Sequence, residues 1–129
     1  MHLNEQQCAF LDEVHYAVVG TLDGDGGIQQ TVVWYVREGD ELRFSLGANS
    51  VKARNLRRNP TITLTVEDGT RYLSLSGSAT VEPADQELRR QLATRYLGAE
   101  RAVEWLKQSP NVERASVRIA VQRVYGQGV

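Results

Sequence analysis

The sequence is poor in the residue types that most often build covalent or metal-centred sites. It has one cysteine, Cys8, so no disulfide framework can form within the chain. Its two histidines, His2 and His15, stand at spacings from Cys8 that match no metal-site signature. Cys8 lies on the apolar stripe of a predicted helix, where a free thiol usually acts as a small hydrophobe rather than a nucleophile. The lack of disulfides favours a reducing, cytoplasmic setting.

The sequence also lacks long apolar runs and any excess of charge. No apolar run approaches membrane-spanning length, and the first residues lack the basic start and apolar run of a signal peptide. The formal net charge is −1, which argues against nucleic acid or an anionic membrane as a partner. At 129 residues, with no repeat or linker, the chain is expected to form one domain over residues 1–129.

Few side chains are candidates for acid–base or nucleophilic catalysis. No carboxylate stands in an apolar run, where burial would suit it to proton transfer. Asp23 and Asp25 flank a predicted hairpin turn and are interpreted as turn formers. Gly24, Gly26 and Gly27 precede a strand, whereas a dinucleotide fingerprint requires a helix there. If the protein is an enzyme, we therefore expect a cofactor to carry the chemistry while the protein binds and orients it.

Alternating apolar residues and turn signals predict six strands and three helical regions. The predicted strands span residues 16–22, 28–36, 42–46, 61–66, 71–81 and 114–125. The predicted helices span residues 4–14 and 51–58, and a third region begins at Pro83 and is interrupted at Gly98. Gly77 marks a bend or bulge in the fifth strand. This order indicates a mainly β fold, a small closed antiparallel barrel flanked by helices.

The segment from Ser50 to Pro60 is the most informative part of the chain. It carries four cations within seven residues, and no Asp or Glu occurs between residues 42 and 66. Ser50 suits the N-cap of a short helix, and Pro60 prevents its continuation. The free N–H groups and positive dipole end of a helix start attract anions, and Lys52 adds a full charge there. The pattern predicts a phosphate site between two strands, with a solvated basic helix as the alternative.

The second predicted strand could form one wall of a site for a flat ring system. Its bulky apolar residues are interpreted first as core or interface residues, but its amide and hydroxyl groups suit the edge of a ring. Ser45 ends the third strand just before the basic helix. A ligand with its phosphate on Lys52 would therefore extend past Ser45 toward the second strand. Tyr72 and Trp105 are candidate lids, although packing is the preferred interpretation of each.

Several segments together resemble the pyridoxamine 5′-phosphate oxidase-like split β-barrel superfamily. More narrowly, they are similar to the branch that uses the 8-hydroxy-5-deazaflavin coenzyme F-420. The resemblance covers nearly the whole chain and depends on the order and spacing of the segments. These segments are Asp25-Gly26, Val33-Trp34-Tyr35, Ser50-x-Lys52-x-Arg54-Asn55-Leu56-Arg57-Arg58-Asn59-Pro60, residues 69–79 and Val124-Tyr125-Gly126.

The resemblance implies a six-stranded antiparallel split barrel of the FMN-binding type. It also implies a homodimer whose two cofactor sites lie in grooves between the subunits. By position, Ser50 and Lys52 would hold the phosphate, and Tyr72 and Ser74 would approach from the fifth strand. No residue is predicted as catalytic, because the cofactor would carry the chemistry, and none is predicted as a metal ligand. The implied cofactor-binding residues are Gln30, Thr31, Val32, Val33, Ser45, Ser50, Lys52, Arg54, Asn55, Arg58, Tyr72 and Ser74.

Two departures from the family pattern bear on the choice of cofactor. The flavin-phosphate oxidases of this superfamily have basic residues on the second strand, whereas this chain has Gln29, Gln30 and Thr31 there and no cation before Arg37. Those oxidases also close with an Arg-x-His substrate motif. This chain ends in residues 124–129 without that motif. Both departures argue against oxidation of pyridoxamine phosphate.

The leading hypothesis is a reductase that uses coenzyme F-420 to transfer a hydride to an unsaturated or conjugated acceptor, such as a quinone or the tetrapyrrole biliverdin. One alternative is an FMN-dependent oxidase or reductase. Another is a non-catalytic binder of a cofactor or tetrapyrrole. A nucleic-acid-binding barrel is disfavoured because it depends on the basic helix alone. Substrate choice is expected to depend on groove width and on the loop over residues 108–112.

Overall fold

The computed structural model describes residues 1–108 and 112–129, so residues 109–111 of the predicted specificity loop lie outside the described residues. The described residues form four helices and seven strands. The helices are α1 (Glu5–Asp12), α2 (Val51–Arg58), α3 (Gln86–Leu97) and α4 (Ala99–Gln108). The strands are β1 (Ala17–Leu22), β2 (Ile28–Val33), β3 (Val36–Glu38), β4 (Glu41–Gly47), β5 (Thr61–Glu67), β6 (Tyr72–Pro83) and β7 (Arg114–Gln127). None of the described helices is both long and apolar enough to cross a bilayer.

All seven strands belong to one antiparallel sheet in the order β2-β1-β5-β6-β7-β4-β3. Strands β2 and β3 lie at opposite edges of this sheet, yet only Trp34 and Tyr35 separate them along the chain. A two-residue connection between opposite edges requires the sheet to curl until those edges meet. The split barrel predicted from the sequence is therefore confirmed, with seven strands in place of six.

The extra strand arises at Tyr35, inside the segment predicted as a single strand. The backbone N–H of Tyr35 donates to the hydroxyl of Tyr96 on α3 at 3.2 Å, so this residue turns away from strand pairing. The Tyr35 side chain is fully buried, and its hydroxyl donates to the Leu11 carbonyl at 2.7 Å. Partners distant in sequence thus divide the predicted strand, and local alternation could not reveal them.

The barrel interior is filled by alternate residues of the strands, as the period-two pattern predicts. Leu42, Phe44 and Leu46 of β4 face inward, as do Ile62 and Leu64 of β5, and all five are buried. The same alternation places Leu73, Leu75, Val117 and Ile119 in the core. Because the core takes one face of each strand, the opposite face is left for solvent, helices or other partners.

The first helix is shorter than predicted and ends at Asp12 instead of Val14. The guanidinium of Arg95 on α3 donates to the carbonyls of Leu11, Asp12 and Glu13. A helix end leaves such carbonyls without hydrogen-bond partners inside the helix, and here the Arg95 guanidinium is their donor. Val14 is consequently outside the helix and exposed.

Three local predictions are confirmed by the structure. Helix α2 spans Val51–Arg58, and the Ser50 hydroxyl accepts from the Ala53 N–H at 3.2 Å. Gly98, with a φ of +83°, separates α3 from α4. The pairing of β6 with β7 shifts register between Ser76 and Gly77, which is the predicted bulge.

Candidate cofactor-binding site

A cleft of about 350 Å³ opens where the ends of β2 and β4 meet the start of α2 and the start of β7. Helices α3 and α4 close its far side. We call this space the cationic cleft. Three basic residues line it, and no acidic residue of the described part of the chain does so. Its lining residues are Val32, Val33, Trp34, Ser45, Leu46, Gly47, Ser50, Lys52, Arg89, Leu92, Trp105 and Arg114.

Helix α2 brings the first cation to the cleft. No acidic residue occupies its first turn, so the positive end of the helix dipole is not neutralised locally. The half-buried Lys52 extends from that turn, and its Nζ donates to the Thr31 hydroxyl on β2 at 2.8 Å. This hydrogen bond holds the ammonium group between the helix start and the second strand, where the sequence predicts phosphate.

The environment of Lys52 does not favour its own charge. Burial lowers the pKa of the Lys52 ammonium, and the positive charge of Arg114 lowers this pKa further. A bound anion would raise this pKa, because it would place a negative charge next to the ammonium group, and the protein itself provides none there. The arrangement is therefore complementary to an anion.

Arg114 is the second cation, and sequence reasoning did not identify it. It pairs with Gly47 in the ladder between β4 and β7, which places its side chain beside the end of β4. Its Nη2 and Nε donate to the Ser45 hydroxyl at 2.9 Å and 3.3 Å. Burial lowers the pKa of Arg114, and the charge of Arg89 lowers it further. Arg114 lies far from the basic segment along the sequence. Only the pairing of β4 with β7 brings the two together.

Two indole rings form the flat part of the cleft wall. Trp34 and Trp105 have ring centroids 5.3 Å apart at an interplanar angle of 43°. Trp34 also stacks on Tyr96, with centroids 5.1 Å apart and planes 9° apart. The guanidinium of Arg89 lies 5.7 Å from the Trp105 ring centroid. Stacking on Tyr96 holds the Trp34 ring in place, so Trp34 offers the cleft a fixed surface for a planar ligand.

Five of the predicted cofactor-binding residues line this cleft together: Val32, Val33, Ser45, Ser50 and Lys52. Thr31 reaches it through its hydrogen bond with Lys52. The helix start next to a strand end indicated Ser45, Ser50 and Lys52, whereas Val32 and Val33 were predicted from the second strand and from the family resemblance. Tryptophans 34 and 105 were interpreted mainly as packing residues, and the structure places both at the cleft.

The other predicted residues of α2 have structural partners outside the cleft lining. Arg54 donates to the Asn49 carbonyl at 2.8 Å. Asn55 is buried, and its amide donates to the Thr21 hydroxyl on β1 at 3.0 Å. Arg58 donates to the Asn55 side-chain oxygen at 2.9 Å. The bond from Asn55 to Thr21 attaches α2 to the barrel, and the bond from Arg58 holds the Asn55 side chain.

Of the remaining predicted residues, Gln30 lines a second groove of about 500 Å³ on the outer face of β2, β1 and β5, whereas Tyr72 and Ser74 are not among its lining residues. We call it the outer groove. Gln30 lines it, as do Thr65 and Glu67, which lie opposite Ser74 and Tyr72 in the ladder. Val32 lines both spaces, so the outer groove and the cationic cleft adjoin. The predicted site is thus divided between two adjoining surfaces of one chain.

The cysteine and the histidines are not among the residues that line the cleft. The Cys8 Sγ lies 4.0 Å from the Leu3 carbonyl oxygen. His2 pairs with Asp40, and His15 pairs with Glu13. Within the described residues, no group of three or more His, Cys, Asp or Glu side chains could hold a metal ion.

The curled antiparallel sheet with its flanking helices defines a split β-barrel protein. The sequence matches the family described as pyridoxamine 5′-phosphate oxidase over residues 3–128. This match spans nearly the whole chain, and the protein belongs to that family.

Several known proteins are similar to this chain. It is 30% identical over 126 residues to an F-420H(2)-dependent biliverdin reductase of Mycobacterium tuberculosis, a match that covers 96% of this chain and 88% of that protein. The fold superposes on a conserved hypothetical protein of M. tuberculosis with a TM-score of 0.78 and 26% identity, covering 96% and 84% of the two chains. An F-420 reductase gives a TM-score of 0.75 at 22% identity, covering 95% and 98%.

Proposed function

We propose that this protein is an oxidoreductase that binds the deazaflavin coenzyme F-420 in the cationic cleft and reduces a conjugated organic acceptor. The observation that carries the proposal is the half-buried Lys52 at the start of α2, in a cleft walled by two tryptophans. The M. tuberculosis relative named for F-420 and biliverdin supports it, because the similarity extends over 96% of this chain.

The residues present fit such a coenzyme on chemical grounds. A phosphate fits at Lys52 and Ser50, where the ammonium group and the helix start provide positive charge with no acid in the first helical turn. Thr31, Val32 and Val33 would line the ring and ribityl chain, with Ser45 beside them. The planes of Trp34 and Trp105 suit a conjugated acceptor packed next to the ring.

The protein contributes binding, orientation and exclusion of water. When bound in its reduced form, the deazaflavin ring supplies a hydride to the acceptor. Lys52 fixes the anionic end of the coenzyme, and the hydrogen bond to Thr31 fixes Lys52. The buried Val33 and Leu92 and the two indoles give the cleft an apolar part, which would limit access of water to a ring bound there. Alignment of donor and acceptor in such a space is the source of the expected rate enhancement.

FMN is the second candidate cofactor. The family match favours it, because the family is described as pyridoxamine 5′-phosphate oxidase, and the oxidases of this superfamily use a flavin phosphate. The three residues Gln29, Gln30 and Thr31 on β2 argue against it, since FMN-dependent relatives have basic residues there. Biliverdin is the first acceptor to test, followed by quinones, because the relative at 30% identity is named for biliverdin.

The test is a binding comparison on purified apoprotein. We expect coenzyme F-420 to bind more tightly than FMN when each is followed by its ring fluorescence. Lys52→Ala should weaken binding of the coenzyme at least about tenfold, since a charge-assisted contact is lost. Lys107→Ala is the matched control: it removes the other lysine of the chain, which is exposed on α4.

Three outcomes would contradict this proposal. Tighter binding of FMN would assign the protein to flavin chemistry. Equal affinity of the Lys52→Ala and Lys107→Ala variants would remove the phosphate site. Binding of reduced coenzyme without its oxidation by biliverdin or any quinone tested would indicate a non-catalytic binder.

We also propose that the protein is a homodimer whose second copy covers the outer groove. Tyr16, Ile28 and Val32 are each more than 60% exposed on that face, which is unusual for large apolar residues of a monomer. The outer groove adjoins the cleft at Val32. A second copy seated there would lie beside the cleft, and Tyr72 and Ser74 are the candidates for contact with the coenzyme across the interface. The family resemblance likewise implies cofactor sites in grooves between the subunits.

A further inference from the structure

Arg114 is a half-buried arginine whose side chain pairs with no carboxylate of the described residues. Arg37, Arg43, Arg71, Arg90 and Arg118 each form an ion pair with at least one carboxylate of the chain. Arg114 is half-buried, and its only hydrogen-bond acceptor among the described residues is the neutral hydroxyl of Ser45. A half-buried guanidinium without a carboxylate lacks the usual compensation for its lost hydration.

The geometry of Arg114 leaves donors available. A guanidinium has five N–H groups in a planar fork. Nη2 and Nε each direct one N–H at the Ser45 hydroxyl, and this pair of bonds fixes the plane of the group. The donors that remain belong to Nη1 and to the second N–H of Nη2, which lie side by side. Two parallel donors match the two oxygens of a carboxylate.

Two further cations surround this fork. Arg89 and Lys52 line the same cleft, and each is close enough for its charge to interact with that of Arg114. The protein itself therefore places three positive groups around one space of about 350 Å³. The Arg114 donors that Ser45 does not occupy remain available to a second anionic group beside a phosphate at Lys52.

We propose that Arg114 forms a carboxylate-binding subsite in the cationic cleft, beside the phosphate site at Lys52. The inference rests on the proposed function only in taking Lys52 as the phosphate site. The carboxylate belongs either to the tail of the coenzyme or to the acceptor. In both cases Arg114 contacts the ligand directly, and Ser45 acts as the positioning residue for its guanidinium.

The primary test uses two small probes that differ by one group. 3-Phosphoglycerate carries a phosphate and a carboxylate, whereas glycerol 3-phosphate has a hydroxymethyl group in place of the carboxylate. Binding is followed by the NMR signals of the indole N–H groups, because both tryptophans of the chain line the cleft. We expect the wild type to bind 3-phosphoglycerate about tenfold more tightly, the difference expected for one charge-assisted pair.

Substitutions assign this preference to a residue. Arg114→Gln should abolish the preference while glycerol 3-phosphate still binds, and Lys52→Gln should weaken both probes. Arg114→Lys keeps the charge but loses the fork, so it should retain only part of the preference even if Arg114→Gln folds poorly. Arg101→Gln is the matched control, since Arg101 is exposed on α4 outside the cleft lining. Equal binding of the two probes by the wild type, or an unchanged preference in Arg114→Gln, would overturn the proposal.

A second pair of measurements distinguishes the sources of the carboxylate. If the coenzyme supplies it, Arg114→Gln weakens coenzyme binding and leaves KM for the acceptor unchanged. If the acceptor supplies it, the same variant raises KM for biliverdin about tenfold but not KM for the biliverdin dimethyl ester. No change in either quantity overturns the subsite. A wild type that binds no deazaflavin but prefers 3-phosphoglycerate would refute the proposed function and leave the subsite standing.

Discussion

At the scale of single residues, Lys52 illustrates a conflict between stability and binding. Burial and the nearby Arg114 charge lower the pKa of its ammonium group from the ordinary value of 10.5. The folded state therefore binds a proton at Lys52 less strongly than the unfolded state does. The resulting destabilisation is fully present below the folded pKa, and it disappears as the pH rises from that pKa to about 10.5. Binding sites commonly retain such unfavourable groups because the ligand needs them.

This conflict leads to a prediction for Lys52→Met. The apoprotein of this variant should melt at a higher temperature than the wild type at pH 7, because a charge that burial disfavours is replaced by an apolar chain of similar length. The free energy of unfolding of the wild type should rise relative to that of the variant as the pH rises from the lowered pKa of Lys52 toward about 10.5. Calorimetry and denaturant melts over this pH range measure both effects.

Inorganic phosphate provides the control for this measurement. It should raise the melting temperature of the wild type, because it binds the folded state at Lys52, and it should have little effect on Lys52→Met. A variant that is less stable than the wild type would mean that the hydrogen bond to Thr31 outweighs the cost of burying the charge.

At the scale of secondary-structure elements, the bulge at Gly77 matters most for the barrel. Gly77 lies where the pairing of β6 with β7 shifts, and a Cβ added there would lie 2.1 Å from the Ala120 carbonyl oxygen. No side chain fits at that distance without movement of the β7 backbone. The bulge thus depends on glycine for a steric reason, and it sets the register of β7 on one side of the cleft.

We expect Gly77→Ala to reduce the free energy of unfolding by about 1–3 kcal/mol or more, the range found for overpacked positions. Chemical denaturation measures this change. Gly24→Ala is the matched control: its added Cβ would approach the Arg58 side chain at 3.4 Å, an ordinary contact. A Gly77→Ala protein as stable as the Gly24→Ala protein would show that the two strands can separate at the bulge without cost.

At the scale of the whole molecule, the outer groove is the surface that a second copy would cover. Val18 lies in this groove on β1 and is 39% exposed. Val18→Asp would place a charge in the centre of the proposed interface, where desolvation is costly. We expect it to weaken dimerisation at least about tenfold and to weaken coenzyme binding as well. Sedimentation velocity and the fluorescence titration measure these two effects.

Val103→Asp is the control for this prediction, because Val103 is an exposed residue of α4 that belongs to neither groove. It should leave both the association state and the coenzyme affinity unchanged. A wild type that sediments as a monomer at every concentration at which the coenzyme binds would overturn the proposed dimer.

The sequence by itself determined the elements whose causes are local. Period-two alternation predicted the strands that enclose the core, and the Ser50 cap with Pro60 predicted the bounds of α2. Glycine predicted the break at residue 98 and the bulge at residue 77. Each of these depends on the conformational preferences of a few consecutive residues, which is why the printed sequence contains the information.

Only the tertiary structure decided which distant residues share a surface. The division of the second strand depends on a bond from Tyr35 to Tyr96, and the early end of α1 depends on Arg95. The cleft exists because β7 pairs with β4 and places Arg114 beside Ser45. Its aromatic wall exists because α4 brings Trp105 onto Trp34. Such contacts follow from how the sheet curls and how the helices pack on it, and no local pattern along the chain encodes that closure.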